Sequence, residues 1–413
     1  MKSNYKRLGN YIAEVNIRNS DLQDRTLLGV SIQKVLMPSI ANIIGTDMST
    51  YKYIRKNQFA YGPVTSRNGD KISIALLTDH EEAMISQAYT CFDIVDKNKL
   101  LPEYLMMWFS RPEFDRYARF MSHGSAREIF GWEEMCNVEL PIPTIEKQNE
   151  IVKEYHTIVN RIKLNEQLNQ KLEETAQAIY KQWFVDFEFP DEERKPYKSS
   201  GGEMELCPEL EKGLPTGWEF VELNSITDKV IDNRGKTPPL SPNGEKLLFE
   251  TNFLDNKKAF PVILNYTGNK YVSQNIYNEW FRAGHPEYLD ILVGTVGAGI
   301  PHWCLTPKDC DFCIAQNIVA FRIKNEISPF YVRSFFSTTI FKSQFSGRVK
   351  DTAQPSIRVS DLKTIKIIKP PVNVVNKYKK VVEPIFETIR VTIKEEMLLT
   401  EIKSTLISKL AQG

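Results

Sequence analysis

The 413-residue chain carries a formal net charge of +1, with 42% hydrophobic and 25% charged residues. That length exceeds one ordinary core and implies two or three domains, while the near-neutral balance excludes a global positive field that would draw polyanions nonspecifically. Six cysteines are too sparse for a disulfide scaffold, no signal-like N-terminus precedes Tyr5, and no apolar run approaches the ~20 residues of a membrane span, so a cytoplasmic protein without membrane contact is expected.

In chain order, the first half opens at Tyr5-Lys-Arg-Leu-Gly9 and carries polar, basic loops at Tyr51 to Lys56 and Thr65 to Gly69. Strands are predicted at Lys71 to Leu77 and Ile85 to Val95, and helical sequence at Pro102 to Met121. A third polar loop, Gly124 to Arg127, and the proline element Leu140-Pro-Ile-Pro143 come next. From Thr144 to about Val185 the pattern turns helical. Ile151, Tyr155, Ile158, Ile162, Asn165, Asn169, Leu172, Ala176, Ile179 and Trp183 recur at alternating steps of four and three, a heptad seam. A helix of that length is a rod of ~63 Å, longer than a compact domain core needs.

Glu188 to Glu219 is dense in Pro, Gly, Ser and charge, and 188–213 reads as a linker. The second half of the chain repeats the first. Ile85-Ser-Gln-Ala-Tyr-Thr-Cys-Phe-Asp-Ile94 is echoed by Ile314-Ala-Gln-Asn-Ile-Val-Ala-Phe-Arg-Ile323. At a constant offset of 227 (329 − 102), Pro102 to Leu105 meets Pro329 to Val332, Phe114 meets Phe341, Ser125 to Arg127 meets Thr352 to Gln354, and Leu140 to Pro143 meets Ile367 to Pro370. Strands are predicted at Leu247 to Thr251, Ile291 to Val296 and Ile314 to Ile323, and a helix at Pro329 to Phe345. A second seam runs from about Asn373 to Lys409, with Pro384 inside it predicting a kink or a late helix start.

Two seams in one chain, each placed after an equivalent domain, pair most economically as an intramolecular antiparallel coiled coil, with Asn165 and Asn169 setting register. The expected fold is α+β: two pseudo-repeated mixed α/β domains, 1–143 and 214–371, separated by two long antiparallel helices, 144–187 and 372–413.

No catalytic pattern emerges. Gly235-Lys-Thr237 lacks the upstream glycine of a phosphate loop, the glycines at 294, 297 and 299 are not in dinucleotide-binding order, and the double prolines at 238–239 and 370–371 come after Thr and Lys rather than Asn or Asp. No cofactor is expected. His302, Cys304, Cys310 and Cys313 supply ligand types for zinc, but their spacing fits no common structural module and the first half lacks them, so thiols without metal are expected.

The remaining candidates lie in polar and basic loops where the two halves differ. Arg, Asn, Gln and Lys can present paired donors to base edges, while Lys, Ser and Thr suit phosphate oxygens. In the first half these are Lys52, Arg55, Arg67, Asn68, Ser125 and Arg127. In the second they are Asn233, Arg234, Lys236, Thr237, Arg348, Lys350, Thr352 and Gln354, with Lys257 and Lys258 nearby. Double-stranded DNA is the partner these residues point to. Two other classes compete: a self-sufficient methyltransferase or nuclease, for which a cofactor pattern is missing, and a structural coiled-coil tether with no DNA preference.

Leu214-Pro-Thr-Gly-Trp-Glu219, Leu140 to Pro143 with Gln148, Ala176-Gln-Ala-Ile-Tyr-Lys-Gln-Trp-Phe-Val-Asp-Phe187, Pro370-Pro371 and Ser404 to Leu410 together resemble the specificity (S) subunit of type I restriction-modification systems over essentially the whole chain. The chain departs from that pattern in lacking a Gly-Trp at its start and in carrying Val375 and Pro384 where the second helix begins. The resemblance implies a subunit without catalysis of its own. It would read an asymmetric, split DNA site through two target recognition domains and hold two methyltransferase subunits on the helix pair, to which restriction subunits can add.

Overall fold

The computed structural model describes residues 4–40, 45–66, 68–124, 127–233, 235–264, 268–297, 301–350 and 354–412. Two compact units emerge: Met1–Arg161 with Leu399–Gly413, and Ile162–Leu398.

Unit one begins with β1 (Tyr5–Arg7), β2 (Ile12–Val15), β3 (Leu27–Val30), β4 (Leu36–Pro38) and β5 (Lys52–Arg55). It continues through β6 (Phe59–Tyr61), β7 (Ile74–Leu76), β8 (Glu82–Ile85) and β9 (Thr90–Ile94). Helices α1 (Pro102–Phe109), α2 (Pro112–Phe120) and α3 (Trp132–Cys136) then lead to β10 (Glu139–Pro141) and the long α4 (Ile145–Phe184). Two four-stranded sheets form, ordered β2-β9-β6-β7 and β4-β3-β8-β5, while β10 returns to pair with β1. Phe59 and Phe92 stack at 4.7 Å in the first sheet, and Phe109, Phe114 and Phe130 pack over them.

Unit two carries the hairpin β11 (Met204–Cys207) and β12 (Lys212–Pro215), then β13 (Glu219–Glu222), β14 (Thr227–Ile231), β15 (Lys246–Phe249), β16 (Tyr271–Val272) and α5 (Gln274–Glu279). It continues with β17 (Ile291–Gly294), β18 (Trp303–Leu305), β19 (Phe312–Ile314), β20 (Ile318–Ile323), α6 (Pro329–Phe336) and α7 (Thr339–Ser346). The chain closes through α8 (Val359–Lys363), β21 (Lys366–Lys369) and α9 (Val372–Lys409). Its sheet order β14-β20-β17-β18 matches that of unit one strand for strand, β15 pairs in parallel with β19 as β3 does with β8, and β13 pairs with β21 as β1 does with β10. The internal repeat in the sequence is therefore a repeat of topology.

Several expectations are refined. The echoed decapeptide is not one strand. Ile85 ends β8, Tyr89 N turns back to Ser86 O at 3.2 Å, and Thr90 opens β9 in the other sheet; Ile318 N turns back to Ala315 O at 3.0 Å in the same way. The apolar run is continuous because both strands are buried, and the corner uses Ser, Gln, Ala and Asn rather than Gly or Pro. Pro102 to Met121 divides into α1 and α2, since Pro112 forces Arg111 to extended geometry (ψ 137°) and then starts a new helix. The equivalent break before α7 is capped by Thr338, whose hydroxyl accepts from Phe341 N at 3.2 Å. Tyr51 to Lys56, expected as a loop, is strand β5 with Ile54 fully buried. Residues 188–213, expected as a linker, carry β11 and the start of β12, with Phe187 and Phe189 packed on Trp218.

The two long helices pair antiparallel. In unit two, Asn165 Nδ2 donates to Glu395 Oε2 at 2.9 Å and Asn169 Nδ2 to Glu396 Oε1 at 2.7 Å, whereas Tyr180 and Trp183, further along α4, meet the Tyr378 ring, as an antiparallel pair requires. Asn169 Oδ1 also accepts from the Thr392 hydroxyl. In unit one, Ile151, Val152 and Tyr155 of α4 share a core with Leu406 and Leu410. Buried amides are tolerated here because each finds a partner. α9 starts at Val372 and runs through Pro384, so the late start is not what occurs.

Candidate nucleic-acid interface

Strand register brings most of the candidate loops of each unit to one end of its first sheet. In unit one the pairs Val15 with Cys91, Tyr61 with Thr90, and Tyr61 with Ile74 place the exits of β2 and β6 and the starts of β7 and β9 at that end. In unit two, Ile231 with Ala320, Gly294 with Ile318, and Val293 with Trp303 do the same for β14, β17, β18 and β20. A third loop joins them from the helical layer. Ile129 bridges to Val64 and His123, and Ser356 bridges to Val296 and Lys350. Thr65 N donates to Glu128 O at 2.9 Å as Gly297 N does to Pro355 O at 3.1 Å, and Phe130 N donates to Pro63 O at 2.8 Å as Ile357 N does to Thr295 O at 2.9 Å, so the construction recurs down to individual backbone bonds. Gly124 sits at φ +133°, where a Cβ would come within 2.1 Å of Arg127 O, so only glycine closes this turn.

The candidates fare differently within this frame. Arg127 is exposed and lines a shallow cleft with Asn68, Ser73, Ser86 and Tyr89. Asn68 Nδ2 donates to Val64 O at 3.2 Å, holding its own turn. Lys52 is 7% exposed and its Nζ donates to Tyr89 O at 2.8 Å, bracing the corner between the sheets. Arg55 is exposed but bonded to Glu82, whose carboxyl is held below the ordinary range because Arg25 and Arg55 both donate to it. Arg67 and Ser125 lie outside the described residues.

In unit two, the Asn233 amide is occupied at both ends: Nδ2 donates to Gly284 O at 2.9 Å and Oδ1 accepts from Ala283 N at 2.9 Å. It fixes a cleft whose lining includes Lys236, Trp280 and Arg282. Thr237 and Lys350 are exposed, and Lys350 N is bonded to Ser356 O. Arg348 folds back on the protein, donating to Gln344 O at 2.8 Å and to Thr364. Gln354 is exposed in the third loop, while Arg234 and Thr352 lie outside the described residues.

Residue-type reasoning passes over Gln87 and Gln316. Both stand exposed at the repeated corner, at equivalent positions of the echoed decapeptide, between the other loops. The signal is present in the echo itself, Ile-Ser-Gln against Ile-Ala-Gln, but on sequence grounds it reads only as strand. Arg282 and Trp280 also escape, because they reach the cleft from the end of α5, far from the other loops in sequence.

The four-residue zinc ligand set is not assembled. Cys304 packs in the core around Phe249, Cys313 belongs to another core with Leu248, and Cys310 Sγ faces Pro286 O at 3.4 Å. Burial pushes the Cys313 thiol up to about 12 and raises those of Cys304 and Cys310, favouring the protonated form. Among the described residues no group of three or more His, Cys, Asp or Glu is placed to hold a metal ion, and no helix is long and apolar enough to cross a membrane.

A family model described as the type I restriction modification DNA specificity domain matches residues 32–174, which include the corner at Gln87 and the loop at Arg127. The chain is 24% identical over 445 residues to the type I restriction enzyme HindI specificity subunit of Haemophilus influenzae, covering 92% of this chain and 91% of that one. Over most of its length this chain is similar to type I specificity subunits. The MjaIX specificity subunit of Methanocaldococcus jannaschii is 23% identical over 334 residues, 78% of this chain and 71% of that one. A solved type I S subunit from M. genitalium shares the fold, with a TM-score of 0.52 at 14% identity over 98% of this chain and 95% of that chain. The matched family model is that of a DNA specificity domain.

Proposed function

We propose that each unit reads one half of an asymmetric, gapped DNA site through the loop cluster at the end of its first sheet. The helix pair seats two methyltransferase subunits, to which restriction subunits add, and the specificity subunit contributes no catalysis of its own. The observation that carries this reading is duplicated topology with diverged side chains. Arg127 in unit one stands where unit two has Gln354, and His123 stands where unit two has Lys350. Arg pairs in bidentate fashion with guanine and Gln with adenine, so equivalent frames would select different bases.

Each long helix contributes to both units, and a 40-residue helix spans ~60 Å at 1.5 Å per residue, more than the ~34–36 Å of one DNA turn. The result is an unread spacer, its length a property of the helices. Apolar side chains left exposed on α4 and α9, Leu164 (58%), Leu168 (43%), Val391 (55%) and Leu398 (54%), favour a protein partner on the helix pair.

Near-zero net charge predicts few phosphate contacts and weak binding by the chain alone. Fluorescence anisotropy on a DNA duplex carrying the site, with and without the methyltransferase subunit, tests this. Tight, sequence-specific binding only in the complex is expected; tight, sequence-specific binding by the isolated chain contradicts the weak-binding claim, and equal affinity for all sequences with the methyltransferase subunit present rejects the reading.

A further inference from the structure

The two units differ sharply in the connection after their equivalent strands β3 and β15. Five residues (31–35) join β3 to β4, whereas 21 residues (250–270) join β15 to β16. In unit two this excursion lays Lys257-Lys-Ala-Phe-Pro-Val262 against the open edge of the first sheet. Ala259 O accepts from Leu305 N at 2.7 Å, and Ala259 and Phe260 are 0% and 1% exposed.

Among the described residues, unit one has the same edge without that segment. Terminal strand β7 corresponds to terminal strand β18, and Leu76 pairs with Phe59 as Leu305 pairs with Ile291. The next residue along bonds inward in both cases, Leu77 N to Gln58 O at 3.0 Å and Thr306 N to Asp290 O at 2.8 Å. Alternation along an antiparallel strand therefore turns the Leu76 amide outward, as it does Leu305. It faces a cavity of about 390 Å³ walled by Leu76, Met106, Met107, Ser110 and Tyr155. That volume lies in the ~300–1,000 Å³ range of ligand pockets, and its lining is mostly apolar. Asp79 and Glu103 line it, opposite in charge to the two lysines that precede Ala259 in the segment filling the equivalent place, while Lys34, also in the lining, is paired with Asp115 at 2.6 Å.

We propose that this groove of unit one is a docking site for a polypeptide segment of a partner protein. The segment it takes has a small residue and an aromatic, then proline, preceded by basic residues, and is bound through the outward Leu76 amide, the apolar wall, Asp79 and Glu103. The protein's own second unit supplies the template for the occupant. An unpaired strand edge beside an apolar pocket is a recurrent way to capture peptides.

The test uses the full chain and a fluorescein-labelled peptide of residues 255–264, Asp-Asn-Lys-Lys-Ala-Phe-Pro-Val-Ile-Leu, monitored by anisotropy. Saturable binding is expected, weakened at least about tenfold by Phe260→Ala in the peptide and by Ser110→Trp in the chain, and weakened further at low salt when both peptide lysines become alanine. Should Ser110→Trp lower the melting temperature, the peptide-side substitution decides alone, since it leaves the protein untouched. No saturation by roughly 1 mM peptide, or binding indifferent to Phe260→Ala, overturns the proposal.

Discussion

Replacing Asn169 by alanine isolates what holds the helix pair in register. The amide of Asn169 is 7% exposed and gives its Nδ2 hydrogen to the carboxylate of Glu396 at 2.7 Å. Its oxygen takes the Thr392 hydroxyl, which also reaches Thr388 O at 2.9 Å and Ile389 O at 3.0 Å. Truncation therefore leaves Thr392 satisfied and removes from Glu396, 5% exposed, the Asn169 amide hydrogen bond. Losing a buried hydrogen bond to a charged group costs ~1.5–3 kcal/mol, so ~2 kcal/mol is expected. In a unit of this size that lowers the melting temperature by ~4–8 °C. Thermal melts of the wild type, Asn169→Ala, Glu396→Ala and the double variant measure it. The double variant should lose less than the two singles combined, because each single truncation already removes the same Asn169–Glu396 hydrogen bond. Additive losses, or an Asn169→Ala melt within about 1 °C of wild type, would refute the reasoning.

The same geometry sets other expectations. Burial raises the Glu396 carboxyl above its ordinary 4.5, so the folded state holds its proton more firmly than the unfolded chain and stability falls as pH rises above about 4.5; in Glu396→Gln, which keeps an acceptor for Asn169, that component of the slope should vanish from pH-dependent melts. Arg127→Ala should cost ~1–3 kcal/mol of discrimination at one base of the unit-one half-site and leave the other half-site intact, as read by competition binding of the methyltransferase complex to single-base variants. Lys236→Ala and Lys350→Ala should each lower the slope of log affinity against log salt by ~0.9 if each meets a phosphate, with no change in preferred sequence. Gln87→Ala and Gln316→Ala should relax one half-site each, and identical behaviour of the two variants at both half-sites would contradict a division of labour between the units.

Much of this architecture is legible in the sequence because it rests on periodicity. The helical pattern from Thr144 predicts the start of α4 to within a residue, while the expected end at 187 overshoots Phe184 by three, and the constant offset between the halves predicts matching elements before any contact is known. The rest is decided by tertiary surroundings. Residue type marks Lys52 and Asn233 as candidate DNA contacts, yet their polar atoms are bonded to Tyr89 O and to Gly284 O and Ala283 N, which no local pattern announces. The corner at Ser86 to Tyr89 is hidden because strands buried on both sides read as one apolar run. The convergence of 62–66, 86–89 and 127–130 depends on register between segments far apart in the chain, information that a single sequence holds only implicitly. The excursion holding Phe260 cannot be recognised as a plug from sequence, since its partner, the outward amide of Leu305, is defined by strand pairing alone.

The central claim, two diverged readers on a shared pair of helices, is tested most directly by the modified-base motif in DNA from cells carrying this chain and its methyltransferase partner, sequenced again after residues 1–143 are exchanged for the corresponding part of another specificity subunit. The account predicts an asymmetric motif interrupted by unread positions, of which only one half changes on exchange while the gap keeps its length. A continuous motif, or one whose two halves change together, would contradict it.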